Sequence, residues 1–254
     1  MRVSTHLKWA SALIALALLA GGGYLYLSAS GVPREYAYQP LSRPRRRQAA
    51  TDFYNRLAEF NRHAQDTQPF RWSLSEERIN RYLASMEEIA AVRPGHRAGS
   101  VLDALHEAGV TDPAVALDNG RLRLMLRLTE HHKIVSLTLG VEFTSDRRLR
   151  VKLIETAIGT LTVPETLVRD RLTALRTSLA RRTDDDGAPS ADDPTGRVVS
   201  VLATILQAID QEPITPVGMW DQRRIRVHNI TITPGNITLH VHRLTEADTP
   251  AEVN

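Results

Sequence analysis

The feature that most constrains this chain is an uncharged apolar run near its start: Trp9 to Leu27 reads WASALIALALLAGGGYLYL. At about 19 residues it is close to the roughly 20 that a helix needs to cross the hydrocarbon core of a bilayer. Trp9 stands at one end, with Tyr24 and Tyr26 at the other, the places where interfacial aromatics sit. Arg2 and Lys8 precede the run, as in a signal sequence or an N-in anchor. Two outcomes are open: cleavage at small residues such as Ser28-Ala29-Ser30, or retention as an uncleaved anchor. The length and the aromatic ends favour the anchor. No cysteine follows, which excludes a lipoprotein. The expectation is a single-pass protein of the inner membrane. Residues 1–8 are cytoplasmic, 9–27 form the transmembrane anchor, and the rest is periplasmic or otherwise extracytoplasmic.

Arg43, Arg45, Arg46 and Arg47 follow the span closely enough to count in the positive-inside rule, and that count alone would place the C-terminal part in the cytoplasm. The basic-then-apolar start argues for export instead. Functionally the arginines read as a juxtamembrane patch for anionic headgroups. Structurally they read as a solvated linker. Residues 28–50 also hold Pro33, Pro40 and Pro44 and lack helical periodicity, so the segment is expected to be a tether.

The remainder, residues 51–245, has the makeup of an ordinary globular domain. With 42% apolar and 24% charged residues the chain can bury a core, and with 5% aromatics that core rests on Leu, Ile, Val and Ala. The absence of cysteine excludes disulfides, thiolate nucleophiles and Cys-ligated metal together. The net charge of +3 is small and the arginines are scattered, so nucleic acid is not an expected partner.

A first helix is expected from Thr51 to Ala64, with Phe53, Leu57 and Phe60 on one face. A second begins after Ser75, an N-cap followed by Glu76 and Glu77 at the positive end of the helix dipole. Leu74 and Ile79 occupy its hydrophobic-staple positions. Ile79, Tyr82, Leu83 and Met86 form its apolar stripe, and a short helix around Val101, Leu102 and Leu105 follows. After Asp112-Pro113 the period changes to two. Leu122, Leu124, Leu126 and Leu128 alternate with Arg121, Arg123, Met125 and Arg127. Val135 to Phe143 and Leu149 to Leu153 repeat the pattern. The short turns Glu130–Lys133 and Ser145–Arg148 require an antiparallel meander, because parallel strands need longer crossovers. Pro164 opens a helix carrying Val168, Leu172, Leu175 and Leu179. Thr183 to Thr195 reads as an acidic loop, and Val198, Leu202, Ile205 and Ile209 face one side of a last helix. Arg223–Thr233 and Asn236–Leu244 form a hairpin across Pro234-Gly235, and 246–254 reads as a disordered tail. The expected fold class is α+β: helices packed on one antiparallel sheet of about five or six strands, a meander plus a C-terminal hairpin, preceded by one transmembrane helix.

Little in the sequence carries chemistry. No G-x-S-x-G, P-loop, G-x-G-x-x-G or H-E-x-x-H pattern occurs. His131 and His132 are adjacent, so their rings diverge. His240 and His242 share one face of the last strand and could take a metal, although surface histidines in a hairpin read the same way. Glu76-Glu77 and Glu87-Glu88 are helix neighbours that do not face each other; the second pair reads as solvated. The acidic loop, with Asp184, Asp185, Asp186, Asp192 and Asp193, lacks the spacing of an EF-hand. Asn80 lies beside the apolar stripe of the second helix, where its amide would satisfy a buried backbone group. No catalytic residue, metal ligand or cofactor site is assigned, and no enzyme activity is expected.

Three stretches carry a resemblance: Leu74-Ser-Glu-Glu-Arg-Ile-Asn80-Arg-Tyr-Leu83, Asp112-Pro-Ala-Val-Ala-Leu117, and Gly159-Thr-Leu-Thr-Val-Pro164. On them the chain resembles single-span bacterial envelope proteins of the YpmS-like kind. That resemblance implies an exported, anchored domain with a curved antiparallel sheet that shelters apolar ligands, and no enzymatic role. The Arg-rich tether and the acidic loop depart from it. The functional expectation is a membrane-anchored, non-catalytic envelope protein that binds a lipid or a partner protein through its sheet and helices. The alternatives are a metal-assisted hydrolase using His240 and His242 with loop carboxylates, and a purely structural tethered domain.

Overall fold

Alternation of Leu with Arg from Arg121 onward builds the larger of two antiparallel sheets. The computed structural model describes residues 26–66, 68–91, 109–164, 213–220 and 223–244, with the single positions 106, 166, 173, 177 and 209. Nearly all of the span 9–27 lies outside these. So do the helix expected around Val101–Leu105, most of the Val168–Leu179 helix, the acidic loop Thr183–Thr195, the run Val198–Ile205 and the tail 246–254. Among the described residues no helix is long and apolar enough to cross a membrane.

The elements in chain order are α1 (Arg43–Gln65), β1 (Phe70–Ser75), α2 (Glu76–Leu83), α3 (Met86–Ala91), β2 (Val110–Asp118), β3 (Arg121–Leu128), β4 (Ile134–Phe143), β5 (Leu149–Ile158), β6 (Leu161–Val163), β7 (Val217–Trp220), β8 (Arg223–Thr233) and β9 (Asn236–Arg243). The fold is α+β and wholly antiparallel, as its periodicities predict, but the strands make two sheets. One is the meander β2-β3-β4-β5-β6; the other runs β1-β9-β8-β7.

In the meander, Val115, Leu117, Leu122, Leu124, Leu137, Leu139 and Val151 fall on one face by direct pairing. Leu139, Leu149 and Val151 form its tightest cluster together with Ile209. Complete burial of such side chains is worth about 1.5–3 kcal/mol each. Ile209, expected on a helical face, instead makes an isolated parallel bridge with Val151 and is 1% exposed. Its β-branched side chain closes the end of the sheet as part of the core.

The smaller sheet is covered on one face by α1. Phe60 meets Phe70 and Trp72 edge-on, with ring centroids 5.3 Å and 5.2 Å away, over Val241, which is fully buried. This helix begins eight positions before Thr51, so residues 43–50 are not part of a tether. Pro44 sits in the first turn, where its missing N–H breaks no intrahelical bond. The first turn has no acidic residue. The guanidinium of Arg46 instead pairs with Glu88 of α3 at 2.7 Å, which also corrects the reading of Glu88 as solvated.

Ser75 caps α2 as expected, accepting from the Arg78 N–H at 3.3 Å. The helix ends at Leu83, before Met86, and α3 starts afresh there. β1 and β2 were not expected. β1 is short and follows Pro69. β2 contains Pro113 where the register against β3 shifts between Thr111 and Ala114, at a sheet edge where a proline removes no ladder bond.

Candidate functional site

The smaller sheet has one face against α1 and another that is open. Direct pairing places Arg71 beside His240 and Ser73 beside Thr238. It places Asn229 beside His240, Thr231 beside Thr238 and Arg226 beside His242. Arg224 joins them opposite Met219 of β7. Arg71, Ser73, Asn229, Thr231 and Thr233 are exposed. By register this face holds arginines, histidines and hydroxyl side chains, and among the described residues no carboxylate.

His240 and His242 do share that face. The structure adds a third ring the sequence did not reveal. A bulge between Val227 and Asn229 inserts His228 into β8, and such an extra residue changes which side the following residues face. His228 Nδ1 lies 2.9 Å from His242 Nδ1, so one ring donates its N–H to the bare nitrogen of the other. Ring centroids of His228 and His240 are 6.3 Å apart. Burial, then the neighbouring His242 and His240 and the Arg147 guanidinium, hold the His228 pKa below that of a free imidazole. Among the described residues no group of three or more His, Asp or Glu side chains is placed to hold a metal ion. The histidines that a hydrolase would need face no carboxylate on their own sheet. The carboxylates of the acidic loop lie outside the described residues.

Asn80 is the most constrained polar side chain of α2. It is 9% exposed, donates from Nδ2 to the Val115 carbonyl at 2.9 Å and accepts from the Val115 N–H at 2.7 Å. The amide thus serves as one more residue of sheet along the outer edge of β2. Two residues on, the Leu117 N–H donates to Glu76 Oε2 at 2.7 Å, while the Leu117 carbonyl accepts from Gly235 N–H at 3.0 Å. Glu76 N–H in turn donates to the Gly235 carbonyl at 2.8 Å. Glu76, expected to act only on the helix dipole, also closes a strand edge. Asn80, Glu76 and the β8–β9 turn together lock α2 and the smaller sheet to the meander. Unpaired edges invite pairing with other chains, and here β2 is blocked.

The remaining candidates stay apart. His131 is 4.0 Å from Glu130, and both side chains are exposed. Glu87 is 68% exposed and 3.9 Å from Arg46. Arg43, Arg45 and Arg47 are exposed along the first turns of α1. Comparison with family models, with curated proteins and with solved structures finds no match to this chain.

Proposed function

We propose that this chain is a membrane-anchored, non-catalytic binding protein of the bacterial envelope. Residues 9–27 hold it in the inner membrane, and the open face of the four-stranded sheet receives an acidic partner protein outside the cytoplasm. The observation that carries the reading is the contrast between the two faces of that sheet. The α1 side is filled by Phe60, Ala64, Phe70, Trp72 and Val241, which leaves an apolar ligand no room between helix and sheet and favours a protein over a lipid. The other side offers Arg71, Arg226 and three histidines with no carboxylate among the described residues, and complementary charge suits an acidic partner. The likeness to YpmS-like envelope proteins supports the location through its three stretches alone.

A photo-crosslinker in place of Thr231, in full-length protein within its own membranes, tests this. The expected result is an adduct with an acidic envelope protein that is lost when Arg71→Glu and Arg226→Glu are combined. Adducts unchanged by that double substitution, or none at all, would overturn the reading.

A further inference from the structure

The stretch expected to be a loose tether is fastened to the meander along most of its length. Residues 26–30 are helical. The Ser28 carbonyl accepts from Thr160 N–H at 2.8 Å, from Thr160 Oγ1 at 3.0 Å and from Gly31 N–H at 3.2 Å. The seat is tight. Gly159 takes φ +61°, and a Cβ there would stand 2.6 Å from the carbonyl oxygens of Ser28 and Ala29 and 2.7 Å from that of Gly31. Only glycine meets both the conformation and the close approach.

From this seat the chain crosses the sheet. Pro33 is buried. Glu35 pairs with Arg123 at 3.4 Å, and Tyr36 Oη donates to the Asp112 carbonyl at 2.9 Å. Tyr36 and Tyr38 pack on Ala114, Met125 and Ile134. Between Ser28 and Tyr38 there is no slack with which to hold the domain away from whatever residue 27 touches.

Resting on the anchored reading above, we propose that the domain lies directly on the bilayer entered by residues 9–27, with the β3–β4 and β5–β6 turns in the phospholipid headgroup layer. The two turns stand side by side, because Gly159 N–H donates to the Ile134 carbonyl at 2.7 Å. Tyr26 and Leu27, 67% and 71% exposed, emerge at the same end. The ammonium of Lys133 lies 5.6 Å from the centre of the Tyr26 ring. Large apolar side chains bare to water are costly, whereas a tyrosine beside a lysine suits the membrane–water boundary. The opposite turn, Thr144–Arg148, is a strand's length away, about 30 Å for the ten residues of β4.

The absence of native cysteine allows single labels without background. His131→Cys and Ser145→Cys, both at exposed positions of opposite turns, are made in the full chain. Each is labelled with a small fluorophore and reconstituted into phosphatidylethanolamine–phosphatidylglycerol vesicles carrying a headgroup nitroxide. The expected result is several-fold stronger quenching at 131 than at 145. Equal quenching, or more at 145, in protein that floats with the vesicles overturns the docking and leaves the anchor standing. Protein that does not float with vesicles overturns both.

Discussion

Replacing Asn80 by alanine should cost more than any other single change on α2. The side chain closes both backbone groups of Val115 at 2.7 Å and 2.9 Å in a buried position. Truncation leaves one N–H and one carbonyl without a partner, each at about 1–3 kcal/mol, so the loss should be roughly 3–4 kcal/mol. For a protein of this size each kcal/mol moves Tm by about 2–4 °C, giving a fall of roughly 10 °C. Asn80→Asp supplies a sharper test. At neutral pH its carboxylate still accepts from the Val115 N–H but faces the Val115 carbonyl with a second acceptor, so it should be no better than alanine. Once protonated, the acid has the donor and acceptor of the native amide. Its folded pKa is therefore raised, and its stability relative to Asn80→Ala should grow as pH falls toward the carboxylate range. Circular-dichroism melts of the detergent-solubilised full chain at several pH values measure this. An Asn80→Ala protein melting within about 2 °C of the parent would refute the edge-closing role, as would an Asp variant that tracks alanine at every pH.

Three further outcomes follow from named contacts. Gly159→Ala should destabilise by about 2 kcal/mol or more, since an L-residue in the left-handed region costs roughly 1–2 kcal/mol before the carbonyl clash is added; Gly235→Ala, with the same sign of φ but open space around it, should lose less. Glu76→Gln keeps the acceptor for Leu117 and should lose only about 0.5 kcal/mol of dipole interaction, whereas Glu76→Ala should lose roughly 1–2 kcal/mol in the same melts. The His228 pKa is depressed on folding, so the unfolded chain binds more protons below pH about 6.5; the His228 contribution should be constant above that pH and decline as pH falls below it, and His228→Gln should flatten that limb of a Tm–pH plot.

How far the sequence could be read depended on whether local pattern and tertiary context agreed. β3, β4 and β5 were legible because Leu122–Leu128, Val135–Phe143 and Leu149–Leu153 alternate cleanly, and the β8–β9 hairpin because Pro234-Gly235 interrupts two β-branched runs. The N-cap at Ser75 was legible for the same local reason. β2 was hidden by Asp112-Pro113, a pair that signals a loop but here sits at a register shift, with Asp112 at φ +47°. Three prolines made 28–50 read as a tether. Pro44, however, lies in the first turn of α1, and Pro33 is buried where the chain crosses the sheet. The open face was half legible. His240 and His242 share it by simple alternation, but His228 joins them only because a bulge shifts the parity of β8, and period-two counting places it on the α1 side. Arg71 could not be assigned to that face until β1 was seen to pair with β9.

The most direct test of the central claim, that the folded domain is held at a bilayer by its own N-terminal span, is alkaline carbonate extraction of membranes from cells making the full-length chain. The expected result is retention in the membrane pellet, with release into the supernatant when residues 9–27 are deleted. Full-length protein recovered in the soluble fraction would contradict it.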